Sequence, residues 1–145
     1  MDSKTVAKVI PIESNEVAEN DFARFVDLMD LDVDPDGMDD EDKMSFQDAK
    51  RKIMRAIKAG SLVVNEEGEI LYTTTAPGDT GGKKILFAEP DGAAIAAMDS
   101  KKRGHDIGKT YACMAAITKQ SPQLFGKMKN RDIKICQAVL ALFLA

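Results

Sequence analysis

Residues 61–74, SLVVNEEGEILYTT, followed at 83–90 by KKILFAEP, decide the fold. SLVV (61–64) and EILYTT (69–74) are short β-branched and aromatic runs on either side of Asn65-Glu66-Glu67-Gly68. That pattern predicts a hairpin closed by a four-residue loop containing glycine. KKILFAEP supplies a third strand, and a three-stranded meander is stable where a lone hairpin is marginal. The joining segment APGDTGG (76–82) reads as a loose, flexible connection.

Everything outside this meander carries helical periodicity, apart from the first residues. TVAKVIPI (5–12) alternates weakly and predicts a short edge strand ended by Pro11. Ser14 is placed to cap a helix over Val17–Met29, where Ala18, Phe22, Phe25, Val26 and Met29 recur on one face. DVDPDGMDDEDKM (32–44) is acidic, interrupted by Pro35 and Gly37, and aperiodic, so it reads as a linker. Ser45 with Asp48 three positions on predicts a capping-box start, with Phe46, Ala49, Ile53, Ala56 and Ile57 on one face, Lys and Arg on the other, and Gly60 as the stop.

Beyond the strands, Asp91 caps a short helix through Met98, and DSKKRGHD (99–106) is a basic turn. A helix covers Ile107–Lys119, Ser121-Pro122 opens a short one, and Asn130 caps the last. These elements give an α+β fold, predominantly helical with a small antiparallel β-meander. The expected division is an acidic segment, 1–44, with one helix and a linker, and one domain, 45–145.

A chain of 145 residues suits a single domain, which buries roughly 68–70% of its unfolded surface. With no Trp and few aromatics, the core is left to Ile, Leu, Val, Met and Ala. Cys113 and Cys136 stand 23 positions apart without CxxC spacing; both read as buried free thiols in a reducing compartment. No signal-peptide h-region and no stretch of about 20 apolar residues is present, so the expected location is cytoplasmic, away from membranes. Charge is divided unevenly: residues 1–48 hold four Lys/Arg against fifteen Asp/Glu (−11), and residues 49–145 hold sixteen against nine (+7), which together give −4. A bipolar chain can attract copies of itself or a charged partner, or fold its acidic arm onto its own basic half.

Three stretches resemble chemical motifs and each fails on a specific residue. DVDPDG (32–37) opens like a calcium loop with Asp32, Asp34, Asp36 and Gly37, but Lys43 occupies the twelfth position where a bidentate carboxylate belongs, with only Asp42 beside it. PGDTGGKK (77–84) lacks the first glycine and the hydroxyl residue of a phosphate loop and precedes a strand instead of a helix. His105 beside Asp106 has no accompanying nucleophile or second base. Lys101, Lys102 and Arg103 form too short a cluster, without interleaved aromatics, to predict nucleic-acid binding. No metal, cofactor or catalytic group is expected.

The end of the chain is more telling. AVLALFLA (138–145) is almost wholly apolar yet too short to span a bilayer. Either the final helix is buried in this domain's own core, or it carries more apolar surface than one small domain covers and packs on another protein. On the second reading the contacts are Leu124, Phe125, Met128, Val139, Leu140 and Phe143.

The run AAITKQSPQLFGKMKNRDIKICQAVLALFLA (115–145), preceded by a strand and a Glu89-Pro90 lead-in to a helix, resembles the tail assembly chaperones of tailed phages and prophages. The matching positions are Thr118, Leu124, Met128, Asp132, Leu140 and Phe143, and the likeness covers residues 83–145. It implies a non-enzymatic role: keeping a helical client, the tape measure protein, soluble in the host cytoplasm before tube subunits polymerise around it. In that family a longer frameshifted product is common and neither form stays in the virion. Residues 1–82 lie outside the likeness. The alternative is a structural subunit of a phage tail or related particle, in which the same surface joins permanent neighbours.

Overall fold

In the computed structural model of the chain, residues 15–99 and 106–144 are described. The expected strand at 5–12, Ser14, the basic cluster 101–103 and His105 lie outside them. Helix α1 (Asn15–Leu28) leads through a single 3-10 turn (Pro35–Gly37) to the long α2 (Asp40–Ala59). The strands β1 (Leu62–Val64), β2 (Ile70–Thr73) and β3 (Lys84–Phe87) follow, then α3 (Gly92–Asp99), α4 (Asp106–Thr118), α5 (Pro122–Lys127) and α6 (Asn130–Phe143). The fold is α+β, mostly helical, with one three-stranded antiparallel sheet in the order β1-β2-β3.

α2 begins five residues before Ser45. Asp39 is its N-cap, accepting from the Asp42 N–H at 2.8 Å, and Asp40, Glu41 and Asp42 fill the first turn. Carboxylates there complement the partial positive charge of the helix start, so an acidic run that looked like a linker becomes helix. The supposed capping box is helix interior, where Asp48 pairs with Arg51 and Lys52 one turn on. The expected division at 44/45 therefore falls inside a helix. α1 shares the core of the rest: Phe25 is fully buried, its ring edge-on to Phe143 of α6 at 5.6 Å between centroids.

Gly60 ends α2 as expected. It adopts φ 83°, its N–H donates to Ile57 O, and the Ser61 N–H reaches back to Ala56 O, the paired closure of a left-handed helix stop. At the hairpin, Asn65 Oδ1 accepts from the N–H groups of Glu67 and Glu69. Gly68 takes φ 84° and is packed so tightly that a Cβ there would lie 2.6 Å from Leu28 Cβ. The 76–82 connection is tighter than expected. Thr74 Oγ1 donates to Thr80 O and accepts from the Lys83 N–H, and a Cβ at Gly81 would strike Ala76 O.

The sheet has two unequal faces. Leu62, Val64, Ile70, Tyr72, Ile85 and Phe87 point into the core, meeting the helices. On the other face Val63, Leu71 and Leu86 stand in register across the three strands, with Val63 and Leu86 exposed. α2 and α6 lie side by side in opposite directions: Phe46 and Ala49 line one cleft with Leu142 and Leu144, while Arg55 and Ala59 line another with Lys129 and Ile135.

Candidate functional site

The six residues expected to meet a partner do not form a free surface. Phe125 and Val139 are fully buried and Met128 and Leu140 nearly so; Leu124 and Phe143 are partly buried and packed on the same core. The physical reason is that α6 has neighbours on most sides. Phe143 meets Phe25 of α1 and Cys136 Sγ rests 3.8 Å from Met128 Sδ, while Phe125 in α5 lies beside Tyr111 of α4. An apolar helix apparently too greasy for its own domain is thus largely covered by it. Its exposed apolar residues are at its end, Ala141 and the following Leu144, with Ile135 half-buried.

That last turn borders a cleft of about 360 Å³ whose walls include Met38, Phe46, Ala49, Ala141 and Leu144. Asp32, Asp34 and Asp42 stand around it. Asp34 is also committed locally, its carboxylate capping the 3-10 turn through the Asp36 N–H at 3.0 Å. The acidic stretch that resembled a calcium loop therefore serves as the rim of an apolar cleft. Among the described residues no three or more His, Cys, Asp or Glu side chains are gathered to hold a metal.

At the other end of the same helix pair lies an open groove of about 830 Å³. Arg51, Lys52 and Arg55 line one wall, Lys129, Arg131 and Lys134 the other, and no acidic side chain lines it. The floor is formed partly by Ala56, Ala59, Ala76, Pro77 and Ile135. Lys52 and Arg51 hydrogen-bond to Asp48 and hold its carboxyl below the usual carboxylate range. Among the described residues Arg55, Lys129, Arg131 and Lys134 make no ion pair.

Beneath the groove sits Asp132, the one fully buried carboxylate among the described residues, in the first turn of α6. Its Oδ1 accepts from Tyr72 Oη at 2.6 Å, from the Thr75 N–H at 2.8 Å and from Thr75 Oγ1 at 3.0 Å; its Oδ2 accepts from the Ala76 N–H at 3.1 Å. Burial alone would raise its pKa, but these donors outweigh it and hold the carboxyl below its ordinary value. Burial, followed by the hydrogen bond to Asp132, pushes the Tyr72 phenol up. Both oxygens accept from this chain's own donors, and the side chain is fully buried. It is a lock between the sheet and α6. Asn130, expected to cap α6, is its first helical residue; Lys129 is the N-cap and makes no side-chain cap bond.

Sequence reasoning noted the basic face of α2 but had no signal to join it to Lys129, Arg131 and Lys134. It marked Asp132 as part of a pattern without seeing its role.

No described helix is long and apolar enough to cross a membrane. Comparison with protein-family models, with curated proteins and with solved structures finds no match.

Proposed function

We propose that this protein is an assembly chaperone or adaptor for phage or prophage tails, one that binds a helical client such as the tape measure protein in the host cytoplasm and performs no catalysis. The proposal rests on the resemblance over residues 83–145. Of its matching positions, Thr118, Met128, Asp132 and Leu140 are buried and Leu124 and Phe143 partly so, which accords with a shared packing pattern.

The observation that carries a client-holding role is the cleft at the last turn of α6. It offers apolar walls at Met38, Phe46, Ala141 and Leu144 under a rim of Asp32, Asp34 and Asp42. A helix with an apolar stripe flanked by Lys or Arg complements both features. A long helical client would otherwise expose such stripes and aggregate before assembly.

The test is co-expression of the full chain with a tape measure protein. A soluble complex is expected, weakened at least about tenfold by Ala141→Glu with Leu144→Glu. Undiminished binding by that variant would remove the cleft from the mechanism. Stoichiometric recovery of the chain in purified particles would favour a structural subunit instead.

A further inference from the structure

We infer that the basic groove between α2 and α6 is a second docking site, and that its occupant is an acidic, partly apolar polypeptide segment of a partner protein. Six cations line two facing walls with no carboxylate among the lining residues; Arg51 and Lys52 are paired with Asp48 and Asp132 is buried beneath, so the positive field comes chiefly from Arg55, Lys129, Arg131 and Lys134. Among the described residues Arg55, Lys129, Arg131 and Lys134, all exposed, make no ion pair, so their charges are free to meet a ligand's carboxylates. The apolar floor is what distinguishes the ligand: Ala56, Ala59, Ala76, Pro77 and half-buried Ile135 suit methyl-bearing side chains between carboxylates.

Other polyanions fit less well. A single nucleic-acid strand gains much of its affinity by stacking bases on aromatic faces, and the one aromatic here, Tyr72, is buried in the floor and bonded to Asp132. A duplex needs a basic track along a surface, whereas these cations are confined to one groove. This chain's own acidic stretch also fits poorly. It lies at the start of α2, from which Arg55 is about 22 Å along the helix. Its carboxylates at Asp34 and Asp39 are spent on caps, and its apolar residues Val33 and Met38 are already half-buried.

The groove and the α6-end cleft lie at opposite ends of the helix pair, so this inference stands whether or not the cleft holds a client. The experiment is a fluorescence-anisotropy titration of the full chain with a labelled helical peptide of Glu, Leu and Ala, run beside its Gln-for-Glu counterpart and oligothymidylate of matching charge. Binding of the acidic peptide is expected, falling at least about tenfold in R55Q/R131Q/K134Q and little in K83Q/K84Q/K119Q, whose lysines are exposed elsewhere. If the triple variant does not fold, Arg55→Gln alone carries the test with a smaller loss. Equal binding of the Gln peptide, or equal loss in the control variant, would overturn the inference. Tighter binding of oligothymidylate would assign the groove to nucleic acid. Low-salt self-association abolished by the groove variant would assign it to a second copy.

Discussion

Tyr72 Oη and Asp132 Oδ1 are 2.6 Å apart although their residues are 60 positions apart in the chain. Through this contact and the N–H groups of Thr75 and Ala76, one carboxylate fixes where α6 starts relative to the end of β2. A buried charge held by four donors specifies an arrangement that apolar packing alone leaves free to slide. The groove above depends on it, because Lys129, Arg131 and Lys134 all flank Asp132.

Asp132→Ala should cost at least about 3 kcal/mol, since four donors lose their acceptor in a buried site. Tyr72→Phe should cost about 1–2 kcal/mol, because Thr75 and Ala76 still hold the carboxylate. Urea unfolding followed by circular dichroism measures both. Equal losses for the two variants would contradict the geometry.

The same carboxyl makes stability depend on acid. Its folded pKa lies below the ordinary value of 3.8, so the folded state binds fewer protons than the unfolded chain as pH falls. Its stabilising contribution is therefore complete above the unfolded pKa and is lost as pH drops through the folded one. The urea midpoint should hold steady above about pH 5 and fall below about pH 4. Asp132→Asn should start lower at neutral pH and show a shallower decline.

Gly68→Ala should destabilise by about 2–3 kcal/mol, combining a left-handed backbone with overpacking. The atom nearest the new methyl group is Leu28 Cβ, at 2.6 Å. Leu28→Ala keeps that atom, so the double variant should show no rescue. Thermal unfolding of the two single variants and the double variant decides it.

Lys119 adopts φ 59° after the end of α4, a conformation that disfavours a side chain. Gln120 N–H closes the helix onto Ala115 O, the place where glycine is ordinarily found. Lys119→Gly should raise stability by about 0.5–1 kcal/mol. An unchanged or lower unfolding midpoint would show that the lysine side chain contributes something its backbone costs.

Both cysteines should resist a thiol reagent until the protein unfolds. Cys113 and Cys136 are fully buried, and burial, reinforced by Asp132, pushes the Cys136 thiol up to about 12. Thiolate is the reactive form. Titration with a chromogenic disulfide should release almost nothing from the native chain and two equivalents in denaturant. Fast native reaction at either position would mean that the core opens readily around α4 or α6.

By itself the sequence determined the elements. Period-two runs around Asn65–Gly68 specified the meander, and apolar spacing specified α1, α4 and α6. Gly60 and Asp91 placed their boundaries because their signals act within a few residues: a left-handed turn, or a carboxylate accepting from the Ala94 N–H at 2.9 Å. The start of α2 was misread because Asp39–Asp42 carry two local meanings at once, solvated linker and helix N-terminus, and the packing of α2 on α6 favours the second. Only the tertiary structure decided what the apolar closing helix does. Whether Val139, Leu140 and Phe143 are surface or core depends on which helices arrive beside them, and Phe25, more than a hundred residues from the Phe143 it meets, is one of the answers. The same holds for Asp132 and for the two-walled basic groove. Each joins groups that periodicity cannot relate, because chain folding brings them together and local conformational preference does not.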